Sequence, residues 1–385
     1  MFLDRNLILN TNKLLFFYCT YGWVVANILA AQAPSFSLIF IGLRDAWVFI
    51  FIGILFNSKR KSDVILSASL IFMSLLGAIA FVDGSFTITN ILIYFYGFRD
   101  LCLIYLVFYL LSSDNLFVPQ RYIYQFVYLV FFLYLMQIAS QVLGFEEQYS
   151  KLYNLDSYYE SKGVAITLAG GIFGERPGLP LYSPGLVAEL CAGFIILKKT
   201  FSGKWVLWLF SLVTLSKVAV YYLILRAFRR IYLITAIAGL LSIPVLISVL
   251  EVAKENYPNS LISMNANSVI EHISPYQYIT DQDYSFLPDK LGSSSIVAAL
   301  LNGGDVSKAP ESMLIGRFLD YNYLSLIFLF ILIWMFFHLN DDRRFIFIVF
   351  IGLQVLTGMA NHPVGFVPII YFLFTNNQNK KYLQY

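Results

Sequence analysis

Residues 91–111 read ILIYFYGFRDLCLIYLVFYLL, an apolar run long enough to cross a lipid bilayer. The run is interrupted once, by the charged step Arg99-Asp100. Length and hydropathy predict a transmembrane helix over 87–111. Ionisable residues inside such a helix are costly and usually mark a functional position.

The composition of the whole chain extends this interpretation to its full length. Of the 385 residues, 59% are hydrophobic and 13% are charged, and the mean hydropathy is +0.71. Soluble domains carry about 25% charged residues, so lipid must be the solvent for much of this surface. We predict an all-α integral membrane protein in which residues 1–385 form a single polytopic membrane domain. Its twelve predicted spans are 14–32, 37–57, 64–82, 87–111, 121–143, 182–197, 204–216, 217–229, 231–250, 321–339, 344–360 and 364–376.

The start of the chain combines features of a signal peptide and of a first span. Arg5 and Lys13 precede the apolar run that begins at Leu14, and Ala31-Gln32-Ala33 imitates a signal-peptidase site. Because the run is about as long as a full span, we expect a retained first helix.

The Lys and Arg residues collect at alternate ends of the predicted spans. Sixteen of the 26 fall on one side, which the positive-inside rule assigns to the cytoplasm, together with both termini. They are Arg5, Lys13, Lys59, Arg60, Lys61, Arg121, Lys198, Lys199, Lys204, Arg226, Arg229, Arg230, Arg343, Arg344, Lys380 and Lys381.

One stretch, 204–225, has two possible interpretations. A single helix there would place Lys217 at mid-membrane and reverse the charge bias of everything that follows. Two short helices that meet near Thr214–Lys217 avoid both costs, and their tip would line a cavity in the outer leaflet. We prefer the pair.

Two predicted loops on the outer side are long. The first covers 145–181 and the second covers 251–320, and both contain more acidic than basic residues. Long loops without their own secondary structure are usually functional. We therefore expect the working face of the protein on this side of the membrane.

A four-residue pattern occurs twice at matching depth. Gly42-Leu43-Arg44-Asp45 and Gly97-Phe98-Arg99-Asp100 each lie about 16 Å from the predicted cytoplasmic end of their helix. A buried Arg costs at least about 2.5 kcal/mol, so it needs compensation. Neighbours at i and i+1 point about 100° apart and are expected to be poor partners. Two hypotheses remain open: cross-pairing of Arg44 with Asp100 and of Arg99 with Asp45, or a basic pocket for an anion from the outer leaflet.

Further polar residues fall on the same predicted face. Arg binds phosphate oxygens through two nitrogens at once, and Lys offers a point charge. The candidate substrate-binding residues are Arg176, Lys217, Arg317, Arg44, Arg99, Asp45 and Asp100. The candidate proton acceptors, in order of preference, are Glu175, His362 and His272.

Several classes of chemistry have no support in the sequence. There is no Walker loop, dinucleotide fingerprint, GxSxG motif or metal-ligand cluster, so we expect no cofactor, no metal and no nucleic-acid partner. The three cysteines all lie in apolar runs and are expected to be core residues rather than a disulfide framework: Cys19, Cys102 and Cys191.

Two stretches resemble motifs of the O-antigen polymerases (Wzy). Residues 174–188, GERPGLPLYSPGLVA, resemble the Arg-Xaa-Gly…Pro-Xaa-Xaa-Xaa-Ala stretch that precedes a helix in that family. Residues 212–217, LVTLSK, resemble a Leu-Thr-Xaa-Ser-Lys/Arg element that the polymerases share with the O-antigen ligases (WaaL). The twelve-span plan with two large periplasmic loops is also similar.

The resemblance implies a GT-C-like, metal-independent glycosyltransferase at the periplasmic face of the cell inner membrane. Such an enzyme joins O-antigen repeat units carried on undecaprenyl pyrophosphate. By analogy, Arg176, Lys217 and Arg317 would hold pyrophosphate or the growing sugar. The implied partners are the undecaprenyl-pyrophosphate-linked oligosaccharide, membrane lipid and a chain-length regulator protein.

Departures from the family pattern define the alternatives. Ligases carry a His-Asn step just before the span after the large loop, and residues 317–323 contain no His, which favours a polymerase over a ligase. The acidic residue that usually precedes Pro184 is Ser183, which leaves the catalytic base unassigned. A flippase for lipid-linked oligosaccharides is the other alternative, although flippases are expected to carry charges at several depths and two similar halves.

Overall fold

The computed structural model describes part of the chain, and its described residues form two compact units. They are 11–58, 60–79, 87–113, 118–145, 190, 224, 227, 229–231, 233–234, 237–238, 243–256, 285–289, 291–294, 298, 302, 313–357 and 362–382. The first unit comprises Met1–Asn57, Ser113–Ile224 and His362–Tyr385, and the second comprises Ser58–Ser112 and Leu225–Asn361. Within the described ranges the regular structure is entirely helical, without strands.

The α-helices of the described residues are numbered here in chain order. They are α1 (Trp23–Gln32), α2 (Ser37–Arg44), α3 (Trp47–Asn57), α4 (Lys61–Ile79), α5 (Ile88–Ser112), α6 (Gln120–Val142), α7 (Ile243–Asn256), α8 (Met313–Tyr321), α9 (Ser325–His338), α10 (Asp341–Thr357) and α11 (Pro363–Tyr382). A π-helical turn, Tyr18–Gly22, precedes α1, and short 3-10 turns cover Pro34–Phe36, Arg229–Ile231 and Asn322–Leu324.

Four described helical stretches are long and apolar enough to cross a membrane. They are Thr11–Ala30, Lys61–Ile79, Ile88–Ser112 and Leu314–His338. They coincide with the predicted spans 14–32, 64–82, 87–111 and 321–339, except that the last begins earlier. The described part of the chain is thus that of an α-helical membrane protein. The predicted spans 182–197, 204–216 and 217–229, the first long loop 145–181 and both family-like motifs fall almost entirely outside the described residues, so the count of twelve stays a prediction.

Two of these helices expose apolar side chains along one face. Such large exposed apolar surfaces are rare on soluble monomers and are suited to contact with lipid. On α4 the exposed residues are Val64, Ile65, Ile71, Phe72, Leu75 and Ile79, and on α9 they are Leu326, Leu329, Phe330, Ile333 and Phe337. Their recurrence every three or four residues places them on one side of each helix.

In the first unit the predicted span 37–57 is two helices. Helix α2 ends at Arg44, and α3 begins at Trp47 after a turn at Asp45-Ala46. The backbone N–H of Val48 donates to the carbonyl oxygen of Asp45 over 3.0 Å, which closes the turn. The prediction of one continuous helix is therefore wrong, and the first Arg-Asp step lies at a helix end.

Aromatic contacts pack α11 against the start of the chain and α6. The rings of Phe16 and Tyr371 meet edge to face at 5.4 Å, and the Tyr371 hydroxyl donates to the carbonyl of Asn12 over 3.3 Å. Tyr124 of α6 contacts Phe372 at 5.9 Å in the same orientation. Such pairs are favourable beyond the area they bury, so they set the position of α11 in this unit.

In the second unit α5 has a long, fully buried segment. Every residue from Arg99 to Leu111 is buried. This agrees with its sequence, because a helix that is apolar on all sides must be surrounded by protein or lipid. Tyrosine hydroxyls connect α5 and α8 to α4. Tyr94 of α5 donates to the carbonyl of Ser74 over 2.9 Å, and Tyr321 of α8 donates to the carbonyl of Met73 over 3.1 Å.

An ion pair fixes the beginning of α4. Asp63, in its first turn, is buried and accepts two hydrogen bonds of 2.8 Å from the Nε and Nη2 of Arg60. The guanidinium of Arg60 also lies over the ring of Tyr109, 5.4 Å from its centre. A carboxylate is favourable at a helix N-terminus, which explains why the helix begins at Lys61, two residues before Asp63.

Glycines allow a loop to approach α4 and α5 closely. A Cβ atom at Gly77 would come within 2.6 Å of the Cβ of Leu291, and one at Gly97 would come within 2.6 Å of the backbone nitrogen of Gly292. The same Cβ at Gly97 would also collide with Nη1 of Arg317. Gly292 itself has a φ of 91°, a conformation that favours glycine. The loop and Arg317 therefore fill space that a larger side chain would occupy.

This packing predicts opposite outcomes for the two glycines of the repeated pattern. Gly97→Ala should lower the stability of the protein by about 1–3 kcal/mol, because Arg317 and the loop must both move. Gly42→Ala is the matched control, since a Cβ atom there meets nothing within 4 Å, and alanine should stabilise α2 slightly. Thermal unfolding of the purified protein in detergent measures both effects. Equal melting temperatures for the two variants would contradict the packing at Gly97.

Candidate functional site

A buried ion pair lies on α8. Arg317 and Asp320 are three residues apart, which places them on the same side of a helix. Nη1 of Arg317 lies 3.0 Å from Oδ2 of Asp320, and only 1% of the arginine side chain and 0% of the aspartate side chain is exposed. Sequence analysis placed Arg317 in a loop before a span at 321. It lies instead inside a helix, because pairing with Asp320 allows the helix to continue through the two charges.

A short loop surrounds the carboxylate of Asp320 with donors. The backbone N–H of Gly292 donates to Oδ2 over 2.7 Å, and the N–H of Ser294 donates to Oδ1 over 2.9 Å. The Ser293 hydroxyl also contacts Oδ1, over 3.1 Å. We call Gly292, Ser293 and Ser294 the 292–294 nest. Successive backbone N–H groups around a residue with positive φ form a concave site that favours anions.

The guanidinium of Arg317 is incompletely hydrogen-bonded among the described residues. Its Nε and Nη1 atoms are buried and have no hydrogen-bond acceptor among the described residues, although Nη1 is close to Asp320. Donors that are buried without an acceptor are costly. The group lies against Gly97, on the same helix as Arg99 and Asp100. Three of the predicted substrate-binding residues thus belong to α5 and α8 of the second unit.

The residues beside the ion pair are fixed by the backbone of the same loop. Asn322 has a positive φ of 48°, which asparagine tolerates better than most residues. Its side-chain amide donates to the carbonyl of Leu287 over 3.1 Å. The N–H of Asp289 donates to the carbonyl of Asp320 over 2.7 Å. The loop is therefore attached on both sides of the turn that ends α8.

The pKa of the Asp289 carboxyl group is shifted by its surroundings in this loop. Burial raises its pKa above the ordinary value, the nearby charge of Asp320 raises it further, and a hydrogen bond from Asn322 acts in the opposite direction. The net shift is upward. Burial is the largest cause, so the neutral form of the Asp289 carboxyl group is favoured at this position.

Both Arg-Asp steps of the repeated pattern form ion pairs within the step. Nη2 of Arg99 is 2.8 Å from Oδ1 of Asp100, and Nη2 of Arg44 is 3.1 Å from Oδ2 of Asp45. The prediction that adjacent residues are poor partners is wrong, because the long arginine side chain bends around the helix to its neighbour. Arg99 also lies over the ring of Tyr96, 4.9 Å from its centre. The proposed cross-pairing involves both units and stays a prediction.

Two residues of the second unit were not predicted. Asp320 was not identified as a partner of Arg317, although the spacing of three is a recognisable signal. Gln354, which is fully buried and has no hydrogen-bond partner for either amide atom among the described residues, was also missed. Gln354 lies on α10, which packs against α5 and α8. A glutamine inside an apolar run was the signal for it.

The predicted proton acceptors are only partly described. His362 lies directly before α11, with its ring 5.2 Å from that of Trp23. Glu175 and His272 lie outside the described residues, as do Arg176 and Lys217. Among the described residues no three His, Cys, Asp or Glu side chains gather where a metal ion could bind. Cys19 and Cys102 are buried free thiols, as predicted, and Cys191 falls outside the described ranges.

Comparison of the chain with known proteins finds no matching family model, no matching curated protein and no matching solved structure.

The buried pair predicts a large difference between two Asp→Asn substitutions. Asp320→Asn should cost about 3–5 kcal/mol, because it leaves the charge of Arg317 buried without a partner. The matched control is Asp341→Asn, which removes the carboxylate of an Arg-Asp pair with the same spacing whose aspartate is 91% exposed. Exposed pairs contribute at most about 1 kcal/mol. Thermal unfolding in detergent gives both values, and a comparable loss for the two variants would argue against the burial of Asp320.

Asp289→Asn should stabilise the protein in a pH-dependent way. An aspartate whose folded-state pKa is raised loses stability as the pH rises from about 3.9, its ordinary value, through the folded value. Asparagine does not titrate and retains an acceptor for Asn322. The variant should therefore melt above the natural protein at pH 7, with the difference shrinking toward pH 4. A difference that is independent of pH would contradict the assigned shift.

Proposed function

We propose that this chain polymerises O-antigen repeat units, or those of a related surface polysaccharide, carried on undecaprenyl pyrophosphate. In this proposal it is a GT-C-like glycosyltransferase with twelve spans in the cell inner membrane. Both termini face the cytoplasm, and the site faces the periplasm. The proposal rests on the resemblance of residues 174–188 and 212–217 to the polymerase motifs and on one structural observation.

That observation is the buried, incompletely paired guanidinium of Arg317. Its Nε and Nη1 atoms have no acceptor in hydrogen-bond geometry among the described residues, although Nη1 lies 3.0 Å from Asp320. Ionisable residues inside a membrane bundle usually mark a functional position. Arginine suits phosphate because its planar donors match two oxygens at once. Arg317 occupies the end of the Leu314–His338 span that follows the second long loop, which is the predicted periplasmic end. This arrangement supports capture of a phosphate group at the outer leaflet.

The reaction requires charge stabilisation rather than a nucleotide or a metal. A hydroxyl of the acceptor sugar attacks the anomeric carbon of the donor, and the bond from that carbon to the pyrophosphate oxygen breaks. The electron pair of the broken bond moves to the pyrophosphate. Preplaced cations stabilise this developing charge, and Arg317, Arg176 and Lys217 would have that role. The hydroxyl proton passes to a base, for which Glu175, His362 and His272 are the candidates.

The alternatives are an O-antigen ligase and a flippase for lipid-linked oligosaccharide. Residues 317–323 lack the histidine expected for a ligase. Arg99, Asp100, Arg317 and Asp320 lie on α5 and α8, two helices that contact each other, whereas a flippase pathway would need charges along its length. Both observations favour the polymerase.

Deletion of the gene followed by electrophoresis of the cell's lipopolysaccharide tests the proposal. Loss of a polymerase should leave lipid A-core capped with a single repeat unit. Bare core with accumulated lipid-linked polymer would assign the ligase function instead. Bare core with unpolymerised lipid-linked units on the cytoplasmic side would assign the flippase function.

Complementation of this deletion tests the site. Arg317→Lys keeps a positive charge beside Asp320 but loses the planar donor pair, so polymer should fall at least about tenfold while the protein remains in the membrane. Arg176→Ala and Lys217→Ala should abolish polymer. The matched control is Arg121→Lys, because Arg121 is exposed at the start of α6. Normal ladders from the Arg317, Arg176 and Lys217 variants would remove these residues from the site.

A further inference from the structure

The carboxylate of Asp320 occupies a site with the properties of an anion-binding pocket. Two backbone N–H groups and one hydroxyl of the 292–294 nest converge on it, at distances of 2.7 to 3.1 Å. Gly292 has the positive φ that turns successive N–H groups toward one point. Backbone donors of this kind bind phosphate in many proteins, and here they bind a side chain of the same molecule.

The guanidinium of Arg317 contacts the same carboxylate, but its nitrogen atoms do not all have an acceptor there. Its Nη1 and the N–H of Gly292 both approach Oδ2 of Asp320, at 3.0 and 2.7 Å. Even so, Nε and Nη1 have no acceptor in hydrogen-bond geometry among the described residues. Oδ2 of Asp320 contacts both the nest and Nη1, but neither carboxylate oxygen accepts a hydrogen bond from Nε. A tetrahedral ligand with more oxygens could bind the nest and also accept from Nε.

We propose that the 292–294 nest and Arg317 form a binding site for one phosphate group of a lipid-linked pyrophosphate, and that Asp320 occupies it as an internal anion until that phosphate displaces it. The choice of pyrophosphate rests on the proposed function. The site itself is inferred from the donors of the nest and from the incompletely hydrogen-bonded guanidinium of Arg317. The proposal gives a role to Gly292, Ser293, Ser294 and Asp320.

Entry to the site requires the loop to move. Arg317 and Asp320 are almost completely buried, whereas Ser293 is exposed. The nest is therefore the part of the site that a phosphate group reaches first. Among the described residues the backbone of the loop hydrogen-bonds to α4 through the N–H of Leu291 and the carbonyl of Gly77, over 3.3 Å. Its attachments to α8 are the contacts of the nest with the Asp320 carboxylate and the bond from Asp289 to the Asp320 carbonyl. Release of Asp320 removes the charged attachment between the loop and α8.

Binding of inorganic pyrophosphate to the purified full-length protein in lipid nanodiscs tests the site by calorimetry. Arg317→Lys should weaken binding at least about tenfold, and Asp320→Asn should strengthen it about tenfold, because the internal competitor has lost its charge. Arg121→Lys is the control and should bind as the natural protein does. Unchanged affinity in the Arg317 and Asp320 variants, or no binding at all, would overturn the proposal.

A reversible cross-link tests the loop movement even if Asp320→Asn fails to fold. A Cβ atom at Gly316 would lie 3.9 Å from the carbonyl oxygen of Ser294, so cysteines introduced at these two positions would be neighbours. In a chain whose native cysteines are replaced by alanine, oxidation of Ser294→Cys/Gly316→Cys should abolish pyrophosphate binding, and reduction should restore it. The two single-cysteine variants control for the substitutions. Equal affinity before and after oxidation would show that the loop need not open.

These outcomes separate the inference from the proposed function. Pyrophosphate binding that depends on Arg317 and Asp320, together with unaltered lipopolysaccharide in the deletion strain, would support the site and reject the polymerase. A single-repeat phenotype with no dependence of binding on Arg317 would support the polymerase and reject the site.

Discussion

The second unit depends on the burial of the Arg317–Asp320 pair. Removing two charges from water costs several kcal/mol per ion, and mutual attraction offsets this only when other hydrogen bonds complete the arrangement. Here the 292–294 nest completes it for Asp320 but not for Arg317. The carboxylate is therefore well stabilised and the guanidinium is not. That asymmetry is unusual for a purely structural ion pair and is the basis for assigning a ligand to the arginine.

Helices α5, α8 and α10 of this unit pack together. They carry the buried polar residues Arg99, Asp100, Arg317, Asp320 and Gln354. Most of the other buried residues on these helices are apolar, and polar groups interact more strongly in such surroundings than in water. A low-dielectric surrounding of this kind increases the effect of a fixed cation on a developing negative charge, which a pyrophosphate leaving group requires.

The sequence predicted features that depend on composition and periodicity, and it missed those that depend on contacts between distant residues. The four described spans follow from runs of apolar residues, and the burial of Cys19 and Cys102 follows from their position in such runs. The beginning of α8 at Met313 was missed because Arg317 and Asp320 were assigned to the long loop 251–320. The nest lies 26 to 28 residues before its carboxylate, in a stretch without periodicity, so no local pattern identified it. The ion pairs within the Arg-Asp steps were missed because ideal helix geometry ignores the reach of a long side chain.

The close packing of later segments against Gly77 of α4 and Gly97 of α5 has a consequence for how the chain is assembled during synthesis. The hydrogen bond between Met73 and Tyr321 joins residues 248 positions apart. The space beside Gly77 and Gly97 is likewise occupied by segments that leave the ribosome much later. When α4 and α5 first enter the bilayer, lipid tails must occupy the grooves that Leu291 and Arg317 later fill. Completion of this unit therefore displaces lipid, and the buried Arg317–Asp320 pair forms only after α8 has been inserted.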